Sequence, residues 1–500
     1  MKNISLFISE YRAYLILAVA VWVVMFLISP DSYTHHLFGR DDSAIFFTSG
    51  KALMNGMVPY VDYADSKGPL LWLIYGAGYL LSHYDYTGVF WLSWMAYSVT
   101  LAYLFRLACL FLKDNRLALL ATLAMIGFLF CSWYHYEVKS EDWCQPFIVA
   151  TLFHFCRLFY GDGKKQPEKA FLVFGISFSA CLLIKFSVAA MLASVWVYGV
   201  IHLLRHHSRV VKPIFWSAAG ALCTLLPFIV WLSCIGALDA FIREYFVNTV
   251  FTIRDSAYQD SYLHELIYSI GISERLTLFI VGMAGCMGIA LTQKRGRLFL
   301  PFVLLCFWAI TIHHATFHYF ITCSSFSLFF ILCIILTYRD VISRHYTLFI
   351  TSVPSAVVLL LLLTCCFRMG YLDNTLRFVH SDYLEDEQEV YRLTSATGHQ
   401  PTMIFYKAID RGDGIKADAL PGSTYWTTQM GATQEMNEQQ YQDIRNKKAD
   451  WIMTESLDSV QLEQQIRWLQ GCGYTTAYRF KAKDKWGLMR VLLKKFDFGE

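Results

Sequence analysis

The chain has 500 residues, 56% hydrophobic, 17% aromatic and only 16% charged. Soluble globular proteins carry about 25% charged residues, so this composition excludes an ordinary soluble enzyme and indicates a polytopic membrane protein. A net charge of +3 without a basic tract excludes nucleic acid as a partner.

A membrane-spanning helix needs roughly 20 mostly apolar residues. About eleven segments are candidates, near 13–29, 86–112, 117–134, 146–160, 170–184, 186–203, 214–235, 272–292, 298–313, 317–336 and 346–367. The first lacks an A-x-A-like cleavage site and is expected to be a retained helix. The apolar piece "LLWLIYGAGYLL" (70–81) is too short to span and is expected to be interfacial or re-entrant. Most of the 14 cysteines lie within apolar runs, where they act as small hydrophobes, and none has metal-site spacing.

The basic residues set the expected orientation. With a cytoplasmic N-terminus, the loops at 113–116, 161–169, 205–212, 293–297 and 338–345 lie inside, and each contains basic residues. The loops at 31–69, 135–142, 236–270 and 313–318 then lie outside and carry the acids and histidines. An odd number of spans puts the C-terminal region outside as well.

Four groups of polar residues fall on this outer face. The first loop begins with Asp41 and Asp42 and ends with Lys67 in "SKGPLLW". Asp42 is placed to cap a helix over 43–54, stopped near Gly56, with Ile45, Ala52 and Leu53 toward the membrane. The second loop, "YHYEVKSEDWCQPF", carries Glu137, Lys139, Glu141 and Asp142 before a helix starting near Pro146. Lys185 is a single cation between two apolar runs. "HHATFHYF" supplies His313, His314, His318 and Tyr319, with His314 and His318 one helical turn apart. Capping, snorkelling and solvated loops are the plain explanations for single members of this set. Together they describe a site for a substrate with an apolar tail and an anionic head: cations neutralise phosphate, and a carboxylate acts as general base.

From about residue 371 the chain turns polar. Strand-like segments at 402–408, 449–455, 474–480 and 488–494 alternate with helical patterns, which predicts a small α/β domain over 371–500. In "SVQLEQQIRWLQGCG", Ser459 is the expected cap, Leu462, Ile466 and Leu469 share one face, and Gly471 suits the stop. "KAIDRGDGIKADAL" (407–420) matches no EF-hand and reads as a surface loop.

The stretch "DDSAIFFTSGKALMNGMVPYVDY" followed by "KGPLLW" resembles the first outer loop of the C-type (GT-C) glycosyltransferases, in particular the group of protein mannosyltransferases and bacterial aminoarabinose transferases. Members show an Asp-Glu pair, an interfacial helix and a "KPPL" motif; here the pair is Asp41-Asp42 and the motif reads Lys67-Gly68-Pro69-Leu70. "SEDW" at Glu141, "LLIKFS" at Lys185 and "HYF" at His318-Tyr319 resemble further motifs of the group. The resemblance implies a GT-C-like membrane domain over 1–370, with about eleven transmembrane helices and interfacial helices, followed by an extracytoplasmic α/β domain. It implies a polyprenyl-phosphate sugar donor in a bacterial inner membrane and a lipid, glycan or protein acceptor. Asp41 or Asp42 would be the base, Lys67, Lys185, His318 and Tyr319 would bind the donor phosphate, and Glu141 or Asp142 would orient the acceptor or a divalent metal. Metal use varies among such enzymes, and no cofactor is assigned. A flippase would place charge deeper in its helices, and a polysaccharide polymerase or ligase would rely on outer-loop arginines, whereas Arg243 and Arg254 are isolated.

Overall fold

The computed structural model describes residues 2–29, 31–32, 42–130, 138–161, 166–206, 209–248, 273–311, 317–368, 382–427, 433–481 and 488–496. These form two compact units. One comprises residues 1–29, 92–228 and 260–372; the other comprises 30–91, 229–259 and 373–500. The chain is mostly helical, with one small C-terminal sheet.

The first unit is a bundle of apolar helices. It holds α1 (Lys2–Ile28) and most of α4 (Thr87–Leu112), then α5 (Asn115–Leu129), α6 (Ser140–Tyr160), α7 (Pro167–Ile184), α8 (Phe186–Arg205) and most of α9 (Val211–Cys234). Among the described residues, α1, α4, α7, α8 and α9 are long and apolar enough to cross a membrane, and six further apolar helices are shorter. α5 starts where the Asp114 carboxylate accepts from the amides of Arg116 and Leu117. α6 begins at Ser140, ahead of Pro146 where the sequence pattern starts it. The Asp142 carboxylate reaches back to the Lys139 amide, which satisfies an otherwise orphaned donor and extends the helix by a turn and a half.

α7 and α8 read as two runs flanking one lysine, and the backbone shows why. Lys185 is extended, at φ −154° and ψ 108°, so it ends one helix and starts the next. The segment expected to be a single helix over 317–336 is divided. Residues Phe317–Phe326 wind as a 3₁₀ helix, and the α-helix covers only Ser327–Thr337. Here the Ile321 carbonyl accepts from the Gln145 side chain at 2.8 Å, an external partner suited to a departure from α-helical winding.

The second unit begins with α2 (Asp42–Met54) and α3 (Pro69–Leu81), two 13-residue helices packed together. Their backbones nearly touch: a Cβ on Gly50 would lie 2.4 Å from the Gly76 amide nitrogen, so only glycine permits the crossing. α2 includes Asp42 in its first turn. The membrane-facing role expected for Ile45 and Ala52 is not what the structure shows. Every residue from Ser43 to Ala52 is buried, and Lys51 has no exposed side-chain surface. Protein covers the helix on the face that sequence assigns to lipid.

That cover is partly the C-terminal domain. Its strands are β1 (Thr402–Tyr406), β2 (Leu420–Pro421), β3 (Trp451–Ser456), β4 (Tyr474–Lys481) and β5 (Met489–Lys495), in the spatial order β2-β1-β3-β5-β4. β1 is parallel to β2 and β3, while β5 is antiparallel to β3 and β4. The helix over Ser459–Gly471 presents Leu462, Ile466 and Leu469 to the core, as its spacing predicts. Its cap is Asp458, which accepts from the Val460 amide; Ser459 is already in the first turn. The loop over 407–420 is no surface loop. Asp410 is fully buried, as are Ile415, Ala417 and Ala419, because this loop packs against α2.

Candidate active site

The expected site residues fall into both units, and each unit organises its own set. In the helical bundle, Glu141 and Asp142 occupy the first turn of α6. Glu141 is ion-paired to Lys185, with their side chains only 1% and 11% exposed. Its other carboxylate oxygen accepts from the Ser140 hydroxyl at 2.9 Å. Asp142 accepts from the Tyr97 hydroxyl at 2.6 Å and from the Lys139 amide at 2.8 Å. The two adjacent acids therefore differ. Asp142 secures the head of α6 to α4, whereas Glu141 holds a cation at the break between α7 and α8.

One turn further along α6, the Gln145 amide group donates to the Ile321 carbonyl and accepts from the Ser325 hydroxyl. These bonds attach the head of α6 to the 3₁₀ segment that contains His318 and Tyr319. The side chains of His318 and Tyr319 lie outside the described residues, as do Glu137, His313 and His314.

In the second unit, Asp42 heads α2, where the helix dipole favours a carboxylate. Asp41 lies outside the described residues. Lys67 is half-buried; its ammonium is 3.1 Å from the Ser66 hydroxyl and 5.4 Å from the centre of the Phe46 ring, on α2. Gly68 precedes α3 at φ −85°, a value open to any residue, and Pro69 fills the first helical position. The backbone path carrying Lys67 therefore does not depend on a glycine.

Tyr60 ends the stretch Gly56-Met57-Val58-Pro59-Tyr60, which fits the "G-x-x-P-Y" pattern of the resemblance, and spacing alone attaches no role to it. It sits in the left-handed region at φ 66°, which strains a residue with a Cβ. Its hydroxyl donates to the Lys67 carbonyl at 2.8 Å, and its ring packs 4.5 Å from Trp72. Burial pushes its phenol well above the ordinary tyrosine range, so it remains a hydrogen-bond donor. Tyr97 and Gln145 are equally silent in sequence, since a tyrosine and a glutamine in apolar helices carry no signal until their partners are known. Among the described residues, no group of three or more His, Cys, Asp or Glu side chains is placed to hold a metal.

Comparison with solved structures decides the fold. ArnT from Cupriavidus metallidurans bound to undecaprenyl phosphate matches with a TM-score of 0.61, covering 96% of this chain and 98% of that one at 12% identity. The apo state of the same protein matches with a TM-score of 0.58 over the same shares at 13% identity. This chain has the ArnT fold. Residues 66–231 also match the family model of the dolichyl-phosphate-mannose-protein mannosyltransferases. No curated protein matches the sequence. The ArnT-like architecture expected from the first-loop motif is thus present along nearly the whole chain, including the small C-terminal sheet domain.

Proposed function

We propose that this chain is an integral membrane glycosyltransferase that moves a sugar from a polyprenyl-phosphate donor to an acceptor hydroxyl, with inversion, at the extracytoplasmic face of a bacterial inner membrane. The observation that carries this reading is the span of the mannosyltransferase match. Residues 66–231 include Lys67, Glu141, Asp142 and Lys185, and the ArnT likeness extends over the rest of the chain.

In the reaction, Asp41 or Asp42 takes the proton of the acceptor hydroxyl. The acceptor oxygen attacks the anomeric carbon as the bond from that carbon to the phosphate oxygen breaks. Polyprenyl phosphate leaves with the electron pair. Lys67 and Lys185, with His318 and Tyr319, stabilise the negative charge that develops on the phosphate. Glu141 fixes the position of the Lys185 ammonium, which preorganises that cation for an anion. Asp142 acts through position, by holding the head of α6. The acceptor is a lipid, glycan or protein hydroxyl.

The test is transfer by purified protein in lipid nanodiscs, supplied with undecaprenyl-phosphate-linked mannose, glucose or aminoarabinose and with candidate acceptors. Release of undecaprenyl phosphate is the readout. The wild type is expected to release it with at least one pairing. Asp41→Asn or Asp42→Asn should reduce release at least a hundredfold, and Lys67→Ala at least tenfold. Release that survives all three substitutions would remove these residues from the reaction.

A further inference from the structure

Lys51 lies within the first-loop stretch without a role in it, and it is the cation of α2. Its side chain has no exposed surface. The ammonium donates to the Gly414 carbonyl at 2.8 Å and is ion-paired to Asp418 at 3.5 Å. Thr48, one turn earlier on the same face of α2, donates to the Asp410 carboxylate at 2.8 Å. The other Asp410 oxygen accepts from the Gly412 and Gly414 amides at 2.9 and 3.1 Å. Gly414 thus binds at both ends, its amide to Asp410 and its carbonyl to Lys51. A Cβ there would lie 2.7 Å from the Asp410 carboxylate and 3.1 Å from the Thr48 hydroxyl, so the approach requires glycine.

The cluster continues into the sheet. Arg490 on β5 is ion-paired to Asp413 in the same loop, and its Nε lies 3.0 Å from Glu455 on β3. A chain of polar contacts therefore runs from the middle of α2 through the 407–420 loop to the strands. Asp42 is nine residues before Lys51 on one uninterrupted helix, which is about 14 Å along its axis at 1.5 Å per residue. An apolar side chain would bury in this place without the desolvation cost of an ammonium. What the ammonium adds is direction: it accepts only one register of helix against loop.

We propose that Lys51 is a positioning residue of the transfer reaction, locking α2, and so the Asp42 carboxylate at its head, to the 407–420 loop of the C-terminal domain. Its catalytic half rests on the transferase reading; its structural half does not. The C-terminal domain is then part of the machinery that sets the base.

The experiment uses the full chain in nanodiscs with two variants, Lys51→Met and Asp418→Asn. The second changes a partner whose side chain is 29% exposed and keeps its size. Hydrogen exchange over residues 42–54 is measured without turnover, and kcat and KM are measured for the best undecaprenyl-phosphate sugar of the panel. In Lys51→Met, exchange of α2 should quicken at least tenfold and kcat should fall at least tenfold, with donor KM within twofold of wild type. Asp418→Asn should shift both in the same direction by a smaller factor, and it carries the test if Lys51→Met does not fold. Unchanged kcat in a variant whose α2 has loosened would make the latch structural only and overturn the positioning role. Unchanged exchange would overturn the latch itself. A wild type inert with every donor and acceptor would defeat the transferase reading, and with it the catalytic half, while the exchange result would still decide whether Lys51 holds α2.

Discussion

Two buried lysines, Lys185 in the helical bundle and Lys51 in the second unit, answer the same problem in different ways. Lys185 sits where two helices break, and its partner Glu141 is itself 1% exposed. Each charge depends on the other. Lys51 sits in the last turn of a continuous helix, and its acids have other support. Asp410 accepts from two backbone amides and Thr48, and the Asp418 side chain is 29% exposed, although its oxygen facing Lys51 is buried. The contrast teaches that burial of a cation does not by itself measure what its loss costs. The cost lies in what the loss leaves stranded.

Substitutions that strand different groups sharpen this contrast. Lys185→Met leaves the Glu141 carboxylate buried without its counter-ion and should destabilise the bundle by about 3–5 kcal/mol in denaturant unfolding, together with near-complete loss of transfer. The double variant Lys185→Met/Glu141→Gln should regain most of that stability but not the activity. Equal stability of the single and double variants would show that the two charges do not depend on each other.

The second lysine should reveal itself through pH. Burial outweighs the attraction of Asp418 and Asp410 and lowers the Lys51 pKa to about 8. The unfolded chain keeps this proton to about pH 10.4, so between these values the unfolded state binds more protons and stability rises with pH. Measured as wild type minus Lys51→Met, which cancels the tyrosines and cysteines, the rise should be about 2–3 kcal/mol from pH 8 to 10.5. A flat difference would place Lys51 in water. At pH 7 the Lys51→Met cost should be only about 1.5–3 kcal/mol, the scale of one charged hydrogen bond to the Gly414 carbonyl. A cost equal to that of Lys185→Met would erase the distinction between the two sites.

The smallest expected effect lies in the C-terminal domain. Asp458→Ala should cost about 1 kcal/mol through loss of the helix cap, while Ser459→Ala should stay within about 0.5 kcal/mol. The reverse order would return the cap to Ser459.

The two lysines also show what was legible in the sequence. Lys185 stands out because a cation amid apolar residues is conspicuous, and its acid could be listed beside it from the second loop. Lys51 does not, because a lysine in a helix with polar neighbours looks like a solvated face. What buries it is a loop more than 350 residues away, and the acids and glycines of 407–420 carry no periodic signal that names α2 as their partner. The membrane helices and most strands were readable from apolar length and alternation. β2, with two residues, was too short for any pattern. The divided helix at 317–337 was hidden because Gln145, which bonds its Ile321 carbonyl, lies in another helix. Lys67, Glu141 and Asp142 stand out through motif spacing, whereas Tyr60 and Tyr97 make hydroxyl bonds whose partners only the fold discloses.

Recognition of a polyprenyl phosphate is tested most directly by binding of undecaprenyl phosphate compared with undecaprenol, the same chain without the phosphate. Native mass spectrometry of the purified protein, wild type beside Lys67→Ala and Lys185→Met, reads both affinities. The wild type should prefer the phosphate at least tenfold, and each lysine variant should lose most of this preference while still binding the apolar chain. Equal binding of both lipids by the wild type would contradict that recognition.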